Sequence, residues 1–210
     1  MIQAVFFDLN GVLITSEFLS NRFEETYGVS KEKFIQALKA IMTVVRKPDA
    51  PPMYSLWIEY FEEWGLTLSE SDFLQFWFSG ESINNDALEY AKQLKEKGVK
   101  VLVVSNNFRE RTQYYRSHFP ELFENIDAAY FSWETGFVKP SIEAISHALN
   151  EHHLNPSEVV YFDDSNENIE AAKSLGVDGQ LWVDLETAKE YIRLKILNSS
   201  NIVPDSQHES

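Results

Sequence analysis

The sequence predicts an α/β protein built on a five-stranded parallel sheet, with an all-helical segment inserted after the first strand. Three observations carry this. Short apolar runs recur at residues 4–7, 99–104, 128–132, 159–162 and 180–183, each with the length and content of a buried strand. From Asp86 onward these runs alternate with amphipathic helical patterns, the order that gives right-handed βαβ crossovers. Between the first run and Asp86, residues 16–82 read as helical throughout.

Residues 4–7 break at once into Asp8-Leu9-Asn10-Gly11, so Asp8 is expected where a central strand ends, the place where open α/β sheets put their chemistry. A helix over 16–27 should stop at Gly28, and Ser30 is a fitting N-cap for the next, in which Phe34, Leu38, Ile41, Met42 and Val45 recur at helical spacing. Residues 46–52, Arg-Lys-Pro-Asp-Ala-Pro-Pro, cannot continue it, because proline removes donors and restricts its predecessor. Leu56, Tyr60, Phe61 and Trp64 then share one helical face, and Ser69 to Asp72 resembles a capping box. The aromatic stripe of Phe34, Trp57, Tyr60, Phe61, Trp64, Phe73, Phe76 and Trp77 is at core spacing, whereas the loop carrying Arg46 and Lys47 is either a pocket wall or surface charge.

Farther on, Leu88, Ala91 and Leu94 mark a helix stopped by Gly98, and the second strand ends in Ser105-Asn106-Asn107. A helix over 108–119 leads to the third strand. Ile142, Ile145 and Leu149 define another helix, with Pro140 expected in its first turn. The fourth strand ends in Asp163-Asp164, a short helix over 166–175 stops at Gly176, and the fifth strand follows. The expected organisation is therefore a core from 1–15 and 83–198, a helical cap from 16–82 and a flexible tail from 199–210.

The 210 residues are 44% hydrophobic and 14% aromatic, enough for a core and a smaller subdomain. A formal net charge of -15 argues against a nucleic-acid partner, which would meet clustered Lys and Arg. Without cysteine there is no disulfide framework or thiolate metal site. Met1 lies close to the first strand and no apolar run reaches about 18 residues. The expectation is a cytoplasmic protein with no membrane partner, a monomer or a dimer.

A carboxylate on a strand end suits nucleophilic attack on phosphorus or carbon, and a following glycine lets backbone approach an anion. Ser105 and Asn106 offer a hydroxyl and backbone donors to a phosphoryl oxygen. Lys139, beyond the third strand, can screen a carboxylate from an anionic substrate. Asp163 and Asp164 would repel one another unless a hard cation neutralised them, and Mg2+ suits a site that shares ligands with phosphate.

In order and position, Asp8, Ser105, Lys139 and the Asp163-Asp164 pair resemble the four motifs of the haloacid dehalogenase superfamily, over residues 2–185. The segment from Phe162 to Gly176 is similar to the branch of sugar-1-phosphatases and epoxide-hydrolase N-terminal domains. The resemblance implies a Rossmann-like core of strand order 3-2-1-4-5 under a small helical cap. It implies Mg2+ held by Asp8, the Asn10 carbonyl and Asp164, with Asp163 beside them. Asp8 would form an aspartyl-phosphate from a small phosphorylated metabolite, while Ser105, Asn106 and the backbone at Gly11 hold the phosphoryl group and Lys139 orients it. The sequence departs from the motif at Asn10, where the family carries a second aspartate that protonates the leaving group. An amide cannot do so, and general acid/base groups contribute about 10²- to 10⁴-fold. A slow phosphatase and a non-catalytic relative that keeps the pocket for phosphate binding or for contacts with another protein are therefore both open, and a metal-independent dehalogenase fits the acid pair least well.

Overall fold

The computed structural model describes residues 1–200, and side chains through residue 195. Strand β1 (Ala4–Phe7) leads to a short strand β2 (Ile14–Ser16) and then to four helices, α1 (Leu19–Tyr27), α2 (Lys31–Val45), α3 (Met53–Glu63) and α4 (Glu70–Phe78). Strand β3 (Glu81–Ile83) returns the chain to the alternating part. There α5 (Asn85–Glu96), β4 (Lys100–Ser105), α6 (Arg109–His118), α7 (Pro120–Glu124), β5 (Ala128–Phe131), α8 (Ser132–Thr135) and α9 (Ile142–Glu151) follow in turn. Strand β6 (Val159–Asp163), α10 (Asn166–Ser174), β7 (Asp178–Leu181) and α11 (Leu185–Ser200) complete the described chain.

The sheet runs β5-β4-β1-β6-β7 and is parallel throughout, so its strands, numbered among themselves, have the order 3-2-1-4-5. All four residues of β1 are buried, as a central strand covered on both faces requires. Alternate residues feed two cores: Val5, Phe7, Val101, Val103, Val160 and Phe162 on one face, Ala4, Phe6, Leu102, Val104, Val159 and Tyr161 on the other. Burying each large side chain stabilises the fold by roughly 1.5–3 kcal/mol.

The four helices α1 to α4 close on a third, aromatic core of Phe23, Phe34, Trp57, Phe61, Phe73 and Trp77. Here the stripe packs inward: Phe34 stacks on Trp57 with centroids 5.0 Å apart, and Trp57 on Phe61 at 5.7 Å. Ser30 and Ser69 act as side-chain caps, accepting from the backbone N–H of Lys33 and Asp72. This core continues into α6, because Phe108 belongs to it and meets Trp77 at 5.3 Å.

Several expected boundaries shift. Residues 16–82 are not helical to their ends, since β2 and β3 pair antiparallel, Ile14 with Ile83 and Ser16 with Glu81. The two crossings between the helical segment and the sheet thus satisfy each other's backbone groups. Helix α9 begins at Ile142 with Ser141 at its N-cap, leaving Pro140 just outside. Strand β7 starts two residues before its expected position, at Asp178, whose carboxylate accepts from the Tyr191 hydroxyl and from Gln180. The tail expected from Ser199 starts inside α11, and its residues 201–210 lie outside the described residues. Among the described residues no helix is long and apolar enough to cross a membrane.

Candidate active site

Register brings the site together. Phe7 is paired with Phe162 on one side and Val103 on the other, so Asp8 and Asp163 leave neighbouring strands at the same level, and Ser105 ends the strand across from them. Asp8 is buried; its Oδ1 accepts from the Leu9 N–H at 2.7 Å and lies 2.9 Å from Lys139 Nζ. The ammonium of Lys139, 5% exposed, also donates to Asp163 Oδ2 at 2.6 Å and to the Tyr161 hydroxyl at 3.0 Å. Its three protons are all used.

Asp163 is fully buried and saturated. Besides Lys139 and the Tyr161 hydroxyl, it accepts from the Ser165 N–H at 2.8 Å and from Asn168 Nδ2 at 2.9 and 3.0 Å. Burial, then the charges of Asp163 and Asp8, hold the Tyr161 phenol well above its ordinary pKa, which keeps it a donor. Asp164, the next residue, turns to the exposed rim. Desolvation, then Asp8 and Asp163, push its carboxyl above the ordinary carboxylate range.

One ligand oxygen from each of Asp8, Asp163 and Asp164 lies within 4.8 Å of the others. Three carboxylates face one ammonium, an excess that a divalent cation would neutralise, and all-oxygen donors suit Mg2+. Gly11 adds a second fit. A Cβ there would come within 2.6 Å of Asp164 Oδ2, and its φ of 91° is one that side chains disfavour. The glycine is what lets the loop after β1 close on the acid.

Ser105 is buried at the end of β4. The Asn106 side chain clamps the lysine's backbone. Its Oδ1 accepts from the Lys139 N–H and its Nδ2 donates to the Lys139 carbonyl, both at 2.8 Å. Asn10 is held on both sides, accepting from Asn107 Nδ2 at 3.1 Å and donating to the Tyr115 hydroxyl at 2.7 Å.

Behind Asn10 stands a group the sequence reading missed. The Arg111 guanidinium lies over the Tyr115 ring, 5.7 Å from its centroid, and Glu81 Oε1 pairs with Arg111 Nη2 at 2.5 Å inside the protein. Burial works against the Arg111 charge, but Tyr115 and Glu81 outweigh it and raise the guanidinium's pKa. Two spacings carried the signal. Arg111 and Tyr115 lie one helical turn apart on α6, and Tyr161 lies two residues before Asp163 on one strand face. Of the 46–52 loop, Lys47 is exposed and Arg46 partly buried.

An acidic, cation-suited cluster at the C-terminal edge of a parallel sheet, with a helical segment inserted after its first strand, defines the class. The haloacid dehalogenase-like hydrolase family matches residues 2–176, and the chain belongs to it. Its similarity to bifunctional epoxide hydrolase 2 of Rattus norvegicus is 24% identity over 201 residues, 84% of this chain but 35% of that protein. The chain thus spans about a third of that relative's length. Among solved structures, a HAD-like family hydrolase from Porphyromonas gingivalis superposes with a TM-score of 0.77 at 20% identity, covering 93% of this chain and 98% of that one. A HAD family enzyme from Bacteroides thetaiotaomicron, in complex with magnesium and inorganic phosphate, gives a TM-score of 0.71 at 22% identity over 86% of this chain and 94% of that one.

Proposed function

We propose that the chain is a Mg2+-dependent phosphatase of small phosphomonoesters, sugar phosphates or similar metabolites, working through an aspartyl-phosphate at Asp8. The observation that carries it is the Lys139 ammonium bound between Asp8 and Asp163 with Asp164 alongside. Attack forms an Asp8 O–P bond and breaks the ester P–O bond; water then cleaves the acyl phosphate and releases inorganic phosphate. Lys139 offsets the repulsion between nucleophile and dianion, and Ser105 with the backbone after Asp8 binds phosphoryl oxygens. Asp8, Asp164 and the Asn10 carbonyl would hold Mg2+, which supplies charge neutralisation at the phosphoryl group. Asp163, with both oxygens engaged, orients Lys139. The magnesium and phosphate bound by the B. thetaiotaomicron enzyme support this reading.

The alcohol leaving group needs a proton that Asn10 lacks, so turnover is slow for poor leaving groups. The same residue favours a second reading, a phosphate-binding relative without turnover. A panel of phosphorylated metabolites assayed with Mg2+, beside wild-type and Asp8→Asn protein, separates them. Phosphate release that disappears in Asp8→Asn supports the phosphatase; magnesium-dependent phosphate binding without release from any substrate selects the binding relative.

A further inference from the structure

Tyr161 lies in β6 two residues before Asp163, so both side chains leave the same face of the sheet. Its ring belongs to a core in which its buried companions Phe6, Ala144, Ile145, Ile169 and Ala172 carry no polar side-chain group. Phenylalanine would fill that space equally well, and a buried hydroxyl is costly unless it is bonded. Here the hydroxyl has two charged partners, accepting from Lys139 Nζ at 3.0 Å and donating to Asp163 Oδ2. The consequence falls on the ammonium. Asn106 fixes the main chain of Lys139, and the three ammonium protons go to Asp8 Oδ1, Asp163 Oδ2 and the Tyr161 hydroxyl. Three acceptors fix the rotation of the ammonium about its Cε–Nζ bond; with two, one buried N–H is left unmade and the protons exchange places. Burial, then the charges of Asp163 and Asp8, keeps the phenol protonated. The third acceptor therefore adds no negative charge to a site that already gathers three carboxylates.

We propose that Tyr161 is a positioning residue for phosphoryl transfer, its hydroxyl locking the Lys139 ammonium so that one N–H stays on Asp8 while the phosphoryl group arrives. This rests on the phosphatase reading and adds to it a residue that acts only through Lys139, since Tyr161 is fully buried and touches no substrate. Without the hydroxyl the ammonium keeps its charge but spends part of its time with no proton on the nucleophile. Asp8 then loses a bond that aims its carboxylate, and rate falls steeply when a reacting group is misplaced.

Tyr161→Phe in the full chain tests this, because it removes one oxygen and keeps the ring. With Mg2+, kcat/KM for para-nitrophenyl phosphate should fall by about tenfold or more, within the worth of a hydrogen bond to a charged group. Calorimetry with Mg2+ and inorganic phosphate should give an affinity within about twofold of wild type at unchanged stoichiometry, because binding and the chemical step are separated in this variant. A variant that had merely lost folded protein would lose stoichiometry along with rate. NMR relaxation of the labelled Lys139 ammonium nitrogen, without Mg2+ or phosphate, should show hindered rotation in the wild type and faster rotation in Tyr161→Phe. An unchanged kcat/KM per binding site, or an ammonium that already rotates freely in the wild type, overturns the role of Tyr161 and leaves the phosphatase reading standing. A loss of phosphate affinity equal to the loss of rate overturns it as well, since the hydroxyl would then serve binding. Wild-type protein that neither hydrolyses the probe nor binds phosphate overturns the phosphatase reading, and the positioning role falls with it.

Discussion

Replacing Asn10 by Asp tests the site most directly, because it changes the proton inventory at one position while leaving the backbone in place. The Asn10 amide now donates to the Tyr115 hydroxyl at 2.7 Å and accepts from Asn107 at 3.1 Å. An aspartate keeps the bond from Asn107 but sets its second oxygen against a hydroxyl oxygen that was accepting. Either the Tyr115 hydroxyl turns its proton toward position 10, or the new carboxyl retains a proton. The second outcome produces a general acid. Loss of one buried bond should cost about 1–3 kcal/mol, or roughly 2 to 12 °C in melting temperature at this chain length. The gain should be about tenfold or more in Mg2+-dependent hydrolysis of an aryl phosphate, against the roughly 10²- to 10⁴-fold that such groups supply. The gain should grow as the leaving alcohol becomes poorer, and Asp8→Asn should abolish turnover in either background. An unchanged rate with Mg2+ and phosphate still bound refutes the acid/base assignment of position 10. An unchanged melting temperature refutes the structural role given to the Asn10–Tyr115 bond.

Three other perturbations have outcomes fixed by the geometry. Lys139→Met strands Asp8 and Asp163 as buried carboxylates, so without Mg2+ it should destabilise by about 3–5 kcal/mol; a denaturation midpoint equal to wild type contradicts the charge bridge. Gly11→Ala places a methyl 2.6 Å from Asp164 Oδ2 at a φ of 91°. It should cost about 1–3 kcal/mol and weaken Mg2+ binding, and calorimetry showing wild-type affinity counts against the metal site. Asp164 has a raised pKa, so its ionised form burdens the folded apo-protein above that pKa and the burden lifts as pH falls through it. Asp164→Asn should therefore melt higher than wild type near neutral pH without Mg2+, the gap closing in acid. Added Mg2+ should stabilise the wild type and not the variant; the reverse order in either medium sinks the assignment.

Much of this was legible in the chain itself, because buried strands announce themselves as apolar runs and their ends as abrupt polar clusters. Asp8, Ser105 and the Asp163-Asp164 pair each follow or close such a run, and Lys139 stands in a Lys-Pro step ahead of a helix. Periodicity also marked the aromatic stripe of the helical segment as core, since residues three and four apart share a helical face. The β2–β3 ribbon left no such trace. Its strands are three residues long and mostly polar, too short for any period to show.

What only the tertiary structure decided is how segments remote in sequence divide the work. Asp163 and Asp164 are adjacent acids of one kind, and consecutive residues at a strand end point to opposite sides. Which side holds a buried lysine depends on where the chain near 139 is brought, so Asp163 became the lysine's partner and Asp164 the acid on the rim. The Asn106 amide clamps Lys139 for the same reason, because the Lys139 backbone crosses it. Glu81 and Arg111 belong to different parts of the chain, and neither pattern hints at the other. Local sequence fixes faces and ends through short-range sterics and hydrophobic period, whereas pairing between distant side chains is set by how the packed elements meet.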